Sequence, residues 1–314
     1  VSGAPLAFEP PPDAPRWKRR LLYSALARIV IFTALAFGTT AGAAWLLMHG
    51  VPGPGLRQLP PEWRGLVRVA VMVACTVGAY LFLARVIERR PPVELWPSRG
   101  LAHLTAGALA GLGLIALTVA LLWLAGAYRI VGTRPGVDWW TPLLTVGLGT
   151  AIAEEIAFRG VLFRAVEEAA GTWWALGVSA LFFGAVHGGN PGATFWSLAA
   201  IAIEAGLMLA LVFHLTRSLP LCIGIHTGWN YSQGTVFGIP VSGTDAKGWL
   251  ISERPGPDWL TGGVFGAEAS VLAVAVSALL SAALLAHAWR HRTFVPMRRH
   301  RPMMEAAPSA GIPC

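Results

Sequence analysis

Two adjacent glutamates, Glu154 and Glu155, and an arginine one turn further on, Arg159, break into an apolar run from about Trp140 to Phe163 that has the length of a membrane span. On insertion scales a carboxylate or an arginine at mid-bilayer costs a helix about 2.5–3.5 kcal/mol. A chain that places three such groups within a few residues is using them. Glu155 and Arg159 are four residues apart and meet on one helix face, where an ion pair would neutralise Glu155. Glu154, about 100° round a helix of 3.6 residues per turn, is then the unpaired carboxylate, and such a group can act as a general base on water. The competing reading is a Glu–Arg pair that only tethers helices.

Two later motifs add imidazoles and an amide. Phe183-x-x-x-His187 ends a short apolar segment at Gly188-Gly189-Asn190-Pro191-Gly192. A backbone break at membrane depth is tolerated only inside protein or beside a water-filled cavity, so His187 is either a structural helix end or a group with access to water. His226-x-x-x-Asn230 is again an i, i+4 pair on one face. Its side chains could donate hydrogen bonds to one developing negative charge, or bond to neighbouring membrane helices. No Ser-His-Asp or Cys-His arrangement competes as a nucleophilic site. Glu154, His187 and His226 would offer zinc a carboxylate and two imidazoles, but no H-E-x-x-H helix fixes their spacing. Direct activation of water is therefore favoured over a metal, with zinc as the alternative cofactor.

Membrane helices must position these groups. The chain has 314 residues, 55% hydrophobic and 13% charged, with a mean hydropathy of +0.58. Soluble domains carry about a quarter charged residues, so the sequence predicts an all-α, polytopic transmembrane bundle. About eight spans are expected, near 21–48, 66–87, 101–127, 140–163, 173–187, 195–215, 219–237 and 265–289. The apolar run of the first continues past Ala41-Gly42-Ala43 to Met48, which reads as a span and not as a cleaved signal peptide. Residues 1–20 read as a disordered basic arm, 21–139 as the first three spans, and 140–237 as a catalytic core of spans four to seven. Residues 238–264 read as a loose extracytoplasmic loop, 265–290 as the last span, and 291–314 as a basic tail.

The formal charge of +8 does not point to nucleic acid, because the basic residues cluster beside the spans as topology signals. Arg16, Lys18, Arg19, Arg20, then Arg85, Arg89, Arg90 and Arg99, then the tail from Arg290, put both termini in the cytoplasm of a cell-membrane protein. In that topology Glu154 and His226 sit roughly 10–14 Å from the cytoplasmic side at 1.5 Å per residue. Cys75, Cys222 and Cys314 are far apart and suggest neither a disulfide nor a metal site. Gly107-x-x-x-Gly111 and the pair Gly147/Gly149 are close-packing signatures. Glu204, mid-span, is expected to bond a neighbouring helix as a protonated acid, and His214 to lie at the membrane interface.

In order and inside separate spans, E-E-x-x-x-R, F-x-x-x-H and H-x-x-x-N resemble the CPBP family of intramembrane proteases. That family includes the type II CAAX prenyl endopeptidases and bacterial bacteriocin-processing or self-immunity (ABI-like) proteins. The resemblance covers roughly 140–237. It implies that Glu154 with His187 activates the attacking water and that His226 and Asn230 stabilise the oxyanion. It also implies that Glu155, Arg159 and Phe183 shape the site. The expected substrate is a membrane-embedded or lipid-anchored protein or peptide. The rival functions are a catalytically idle scaffold or immunity protein and a proton-coupled transporter, since intramembrane Glu/His sets also relay protons. No internal repeat supports the transporter.

Overall fold

The computed structural model describes residues 8–49 and 59–297. Its helices are α1 (Arg16–Leu21), α2 (Ala25–His49), α3 (Pro61–Ile87), α4 (Gly100–Leu124), α5 (140–170), α6 (Thr172–Val186), α7 (Phe195–Thr216), α8 (219–236), α9 (Asp258–Thr261) and α10 (Val271–Arg290). Local chemistry sets several starts. Pro61 opens α3, where its missing N–H and fixed φ cost nothing. Thr194 and Ser197 form a capping box before α7, and the Ser218 and Ser270 hydroxyls accept the first-turn N–H groups of α8 and α10. The chain is thus a helical bundle, and among the described residues α2, α3, α4, α7 and α10 are long and apolar enough to cross a membrane. The other three expected segments, in α5, α6 and α8, also form helices. Those of α5 and α8 carry polar groups, and α6 stops after 15 residues.

Of the expected N-terminal arm, residues 8–20 are described and Arg16–Leu21 are helical. Residues 1–7, 50–58 and 298–314, including most of the basic tail and Cys314, lie outside the described residues. Cys75 and Cys222 are free thiols, and the buried Cys222 packs against the Leu209 carbonyl at 3.7 Å.

The expected loose loop is stitched down. Leu250–Glu253 (β2) pairs antiparallel with Arg129–Thr133 (β1), from Arg129 opposite Glu253 to Thr133 opposite Leu250, with one bulge. Residues 250–253 alternate half-buried and exposed, the period of a strand, but over four residues only. Tyr128 Oη adds a hydrogen bond to the Phe237 carbonyl at 2.8 Å.

Glycines set the closest helix contact. A Cβ at Gly107 would lie 2.9 Å from the Ile225 amide nitrogen, and one at Gly111 would run into the Ile225 carbonyl oxygen. Reciprocally, a Cβ at Gly224 would meet the Leu104 carbonyl and one at Gly228 the Ala108 carbonyl. The small-x-x-x-small face of α4 therefore meets a second such face on α8, and the two backbones touch. His226 and Asn230 lie two residues beyond Gly224 and Gly228, about 200° round the helix, so this seam turns them away from α4. On α5 only Gly149 is under such pressure, and from the Val69 side chain, not from a second backbone. A Cβ at Gly147 would sit 3.4 Å from the Thr227 methyl, and Gly149 packs on Val69.

Two buried ionic clusters tie the end of the bundle that holds the described chain ends. Arg28 of α2 and Arg164 of α5 both bind Glu88, at 2.6 and 2.7 Å, and Arg164 also binds Glu168 at 3.0 Å. Arg90 bridges Glu88 and Glu94, at 2.7 and 2.6 Å. In the second cluster Glu167 takes His214 Nδ1 at 2.9 Å, Arg217 at 2.6 Å and the Thr172 hydroxyl at 2.9 Å. His214 Nε2 lies 2.9 Å from the Thr293 hydroxyl. His214, expected at the membrane interface, is buried there and bonded at both ring nitrogens.

Glu88 and Glu167 lie beyond the ends of the apolar spans. Burial pushes each carboxyl up, but Arg164 at Glu88, and His214 with Arg217 at Glu167, outweigh it and hold both at about 2. An unfolded glutamate titrates near ~4.3, so these clusters contribute stability that is full above that pH and is lost as pH falls toward 2. Thermal unfolding in detergent is expected to show a steep loss of Tm below about pH 4.5. Glu167→Gln is expected to be less stable at neutral pH and to have a flatter acid limb. An unchanged acid limb would mean that the cluster is not the cause.

Candidate active site

Four helices deliver the polar groups to one place. α5 carries Glu154, Glu155 and Arg159, α6 carries Phe183 and is followed at once by His187, α7 brings Glu204, and α8 brings His226 and Asn230. Wide i→i+5 turns surround these positions, at Leu143–Gly149 and Ile156–Phe163 in α5, Ala202–Leu207 in α7 and Ser232–Val236 in α8. Such turns re-aim side chains within a helix and recur at functional sites.

Arg159 and Glu155 form the floor, and both are fully buried. Arg159 Nη1 donates to Glu155 Oε1 at 2.9 Å, the pair that the four-residue spacing predicts. Its Nη2 donates to the carbonyls of Ala205 and Gly206, at 2.7 and 3.2 Å, and its guanidinium lies 4.6 Å from the Phe183 ring centre. Arg159 is thereby fixed on three sides, and it locks α5 to α6 and α7. Glu155 Oε1 also lies 2.9 Å from His226 Nδ1. The ring therefore presents Nδ1–H to the carboxylate and turns Nε2 toward Glu154, whose Oε2 is 4.0 Å away. Glu154 keeps about a quarter of its side chain exposed, while Oε2 has no hydrogen-bond partner among the described residues.

His187 ends α6 with Nδ1 2.7 Å from the Phe183 carbonyl. That contact assigns the proton to Nδ1 and leaves Nε2 as the acceptor of the neutral ring. Phe183 packs on both imidazoles, with ring centres 5.0 Å from His187 and 6.2 Å from His226. Asn230 Nδ2 reaches the Val146 carbonyl at 3.4 Å, a long contact that leaves the amide available.

A cavity of about 260 Å³ gathers these groups. Its lining includes Glu154, His187, His226 and Asn230, with Phe183 between the rings. Two acids absent from the three motifs also line it. Glu204 was expected to bond a neighbouring helix; instead neither of its carboxyl oxygens has a hydrogen-bond partner among the described residues. Glu268, in the turn before α10, was not singled out by the sequence reading. An acid near the start of an apolar segment looks like an interfacial residue, and only the folding of 238–269 over the bundle brings it inside. Among the described residues no three His, Cys, Asp or Glu side chains are gathered so as to hold a metal ion. Glu154, His187 and His226 do not form such a set.

The paired glutamates, two histidines and asparagine that carry the resemblance to intramembrane proteases thus come together inside the helical bundle. Comparison with known proteins agrees: residues 136–232 match the family model described as type II CAAX prenyl endopeptidase Rce1-like. Residues 136–232 are thus an Rce1-like segment, which supports a CPBP-type intramembrane protease. The matched segment contains every residue of the three motifs. No curated protein and no solved structure matches the chain.

Proposed function

We propose that this protein is an endopeptidase that hydrolyses peptide bonds of membrane-embedded or lipid-anchored substrates, with water activated by Glu154 and His187. It would act in the cell membrane with both termini in the cytoplasm. One observation carries the reading: Glu154, His187, His226 and Asn230, from three different helices, line a single cavity. In the proposed reaction Glu154 takes a proton from water while the water oxygen attacks the scissile carbonyl carbon. His187 Nε2 accepts the second water hydrogen as a hydrogen bond and so orients the nucleophile. The carbonyl electron pair moves onto oxygen, where His226 Nε2–H and Asn230 Nδ2–H donate to it. With Nδ1 already donating to Glu155, His226 must carry both protons to do this, and the two glutamates beside its ring supply the counter-charge. Collapse restores the carbonyl and breaks the C–N bond, and the proton held by Glu154 passes to the leaving nitrogen. No step is routed through a metal.

The test compares membrane proteomes of cells carrying the intact chain and the Glu154→Ala form. Uncleaved precursors should accumulate only in the variant; identical proteomes would favour the idle scaffold. With a precursor in hand, cleavage by purified protein should survive exhaustive chelation. Loss on chelation with recovery on added zinc would replace direct water activation by metal chemistry.

A further inference from the structure

The cavity has a second polar pole that the proposed hydrolysis does not use. Glu204 is 3% exposed, lines the cavity and has neither carboxyl oxygen bonded to any described residue. Leaving such a group buried and unpaired is costly. Glu268 lines the same cavity and lies close enough to act on Glu204 electrostatically. Its own donors are neutral: Ser242 N–H at 2.5 Å, Ser242 Oγ at 2.7 Å and Gln233 Nε2. None of these three donors carries a charge, so none would cancel that of a Glu268 carboxylate; His187 is also within electrostatic reach of it. Arg254 is within electrostatic reach of Glu268, but it donates to the Gly263 carbonyl and does not line the cavity. The floor adds no spare cation, because the charge of Arg159 is paired with Glu155.

We infer that Glu204, backed by Glu268, forms a specificity subsite that takes a cationic side chain, Lys or Arg, of the substrate next to the scissile bond. An apolar side chain would strand both Glu204 oxygens, and a neutral donor would leave the net charge of the pair unanswered. A carboxylate, including a free C-terminus, would be repelled. An ammonium or guanidinium bonded to Glu204 would also answer the charge of Glu268, and such charge-assisted bonds are the strong ones. The subsite rests on the peptidase reading for its role in cleavage, though binding of a cation there does not require turnover.

The experiment uses the full chain in lipid nanodiscs, with quenched fluorescent peptides bearing an N-terminal alkyl chain. Each position flanking the cleaved bond is either Lys or its neutral analogue norleucine. At one position the wild-type protein should prefer Lys by roughly tenfold to a hundredfold in kcat/KM. In Glu204→Gln that ratio should fall toward one, whatever the absolute rate. In parallel, calorimetry with n-hexylammonium and n-hexanol should show saturable binding of the amine alone, weakened in Glu204→Gln. This arm needs no turnover, and the wild-type comparison needs no variant to fold. Amine binding without peptide cleavage would uphold the subsite and sink the peptidase reading. Cleavage that depends on Glu154 but shows no Lys preference, or a preference that survives Glu204→Gln, would overturn the subsite and leave the peptidase standing. Equal binding of hexanol, or displacement of the amine by micromolar divalent metal, would also overturn it.

Discussion

Glu154→Gln is expected to lower kcat for peptide cleavage by about 10²- to 10⁴-fold, the usual contribution of a positioned general base. KM should change little. The substitution keeps the shape of the side chain and removes only its ability to take a proton. Because Glu154 Oε2 has no hydrogen-bond partner among the described residues, no bond at that oxygen has to be rebuilt. Tm should therefore stay close to that of the parent chain. The neighbouring carboxylate is expected to respond differently. Glu155 is fully buried and shared between Arg159 and His226, so Glu155→Gln should reduce both activity and stability. Measuring kcat and Tm for the two variants side by side separates base from scaffold. If Glu154→Gln kept activity within threefold of the parent, Glu154 would not be the base.

Arg159→Met should produce the largest loss of stability of any single change in the site. Breaking a buried ion pair by removing one partner typically costs about 3–5 kcal/mol, because the other charge is left uncompensated. Here the loss would also release the carbonyls of Ala205 and Gly206 and the face of Phe183. Chemical unfolding in detergent would measure it. Combining Arg159→Met with Glu155→Gln should restore part of the loss, since the orphaned charge is then gone. If the double variant were no more stable than Arg159→Met alone, the cost would lie in the contacts to α7 and Phe183 and not in the ion pair. Activity should fall as well, because Glu155 then loses one of the two groups that hold it against His226.

Much of the candidate site is legible before any coordinates, and the reason is energetic. A charged or strongly polar residue in an apolar span has few places to go, so Glu154, Glu155, Arg159, His187, His226 and Asn230 announce themselves by position alone. Helical spacing even gives the Glu155–Arg159 pair. The contact of Glu155 with His226 could not be read, because it joins residues 71 apart through the crossing of α5 and α8. Glu268 was hidden for a related reason, since its depth is set by a fold-back of the chain and not by local pattern. The partners of His214 were hidden in the same way, since Glu167 and Thr293 reach it from other parts of the chain. The strand pair over residues 129–133 and 250–253 was too short to stand out from the surrounding Gly, Pro and Trp. The helical membrane bundle itself followed from hydropathy, as expected where every backbone group must bond internally.

The seam between α4 and α8 carries a consequence for how this protein can vary. Gly107, Gly111, Gly224 and Gly228 touch neither the cavity nor any group that moves a proton. Yet a methyl on any of them would wedge the two rods apart and carry His226 and Asn230 with it, and a misplacement of about 1 Å can cost a hundredfold in rate. On the proposed reaction, accuracy at these two side chains is inherited from bare α-carbons on the far side of the helix, so substitutions that shrink no pocket and remove no charge would still silence the chemistry.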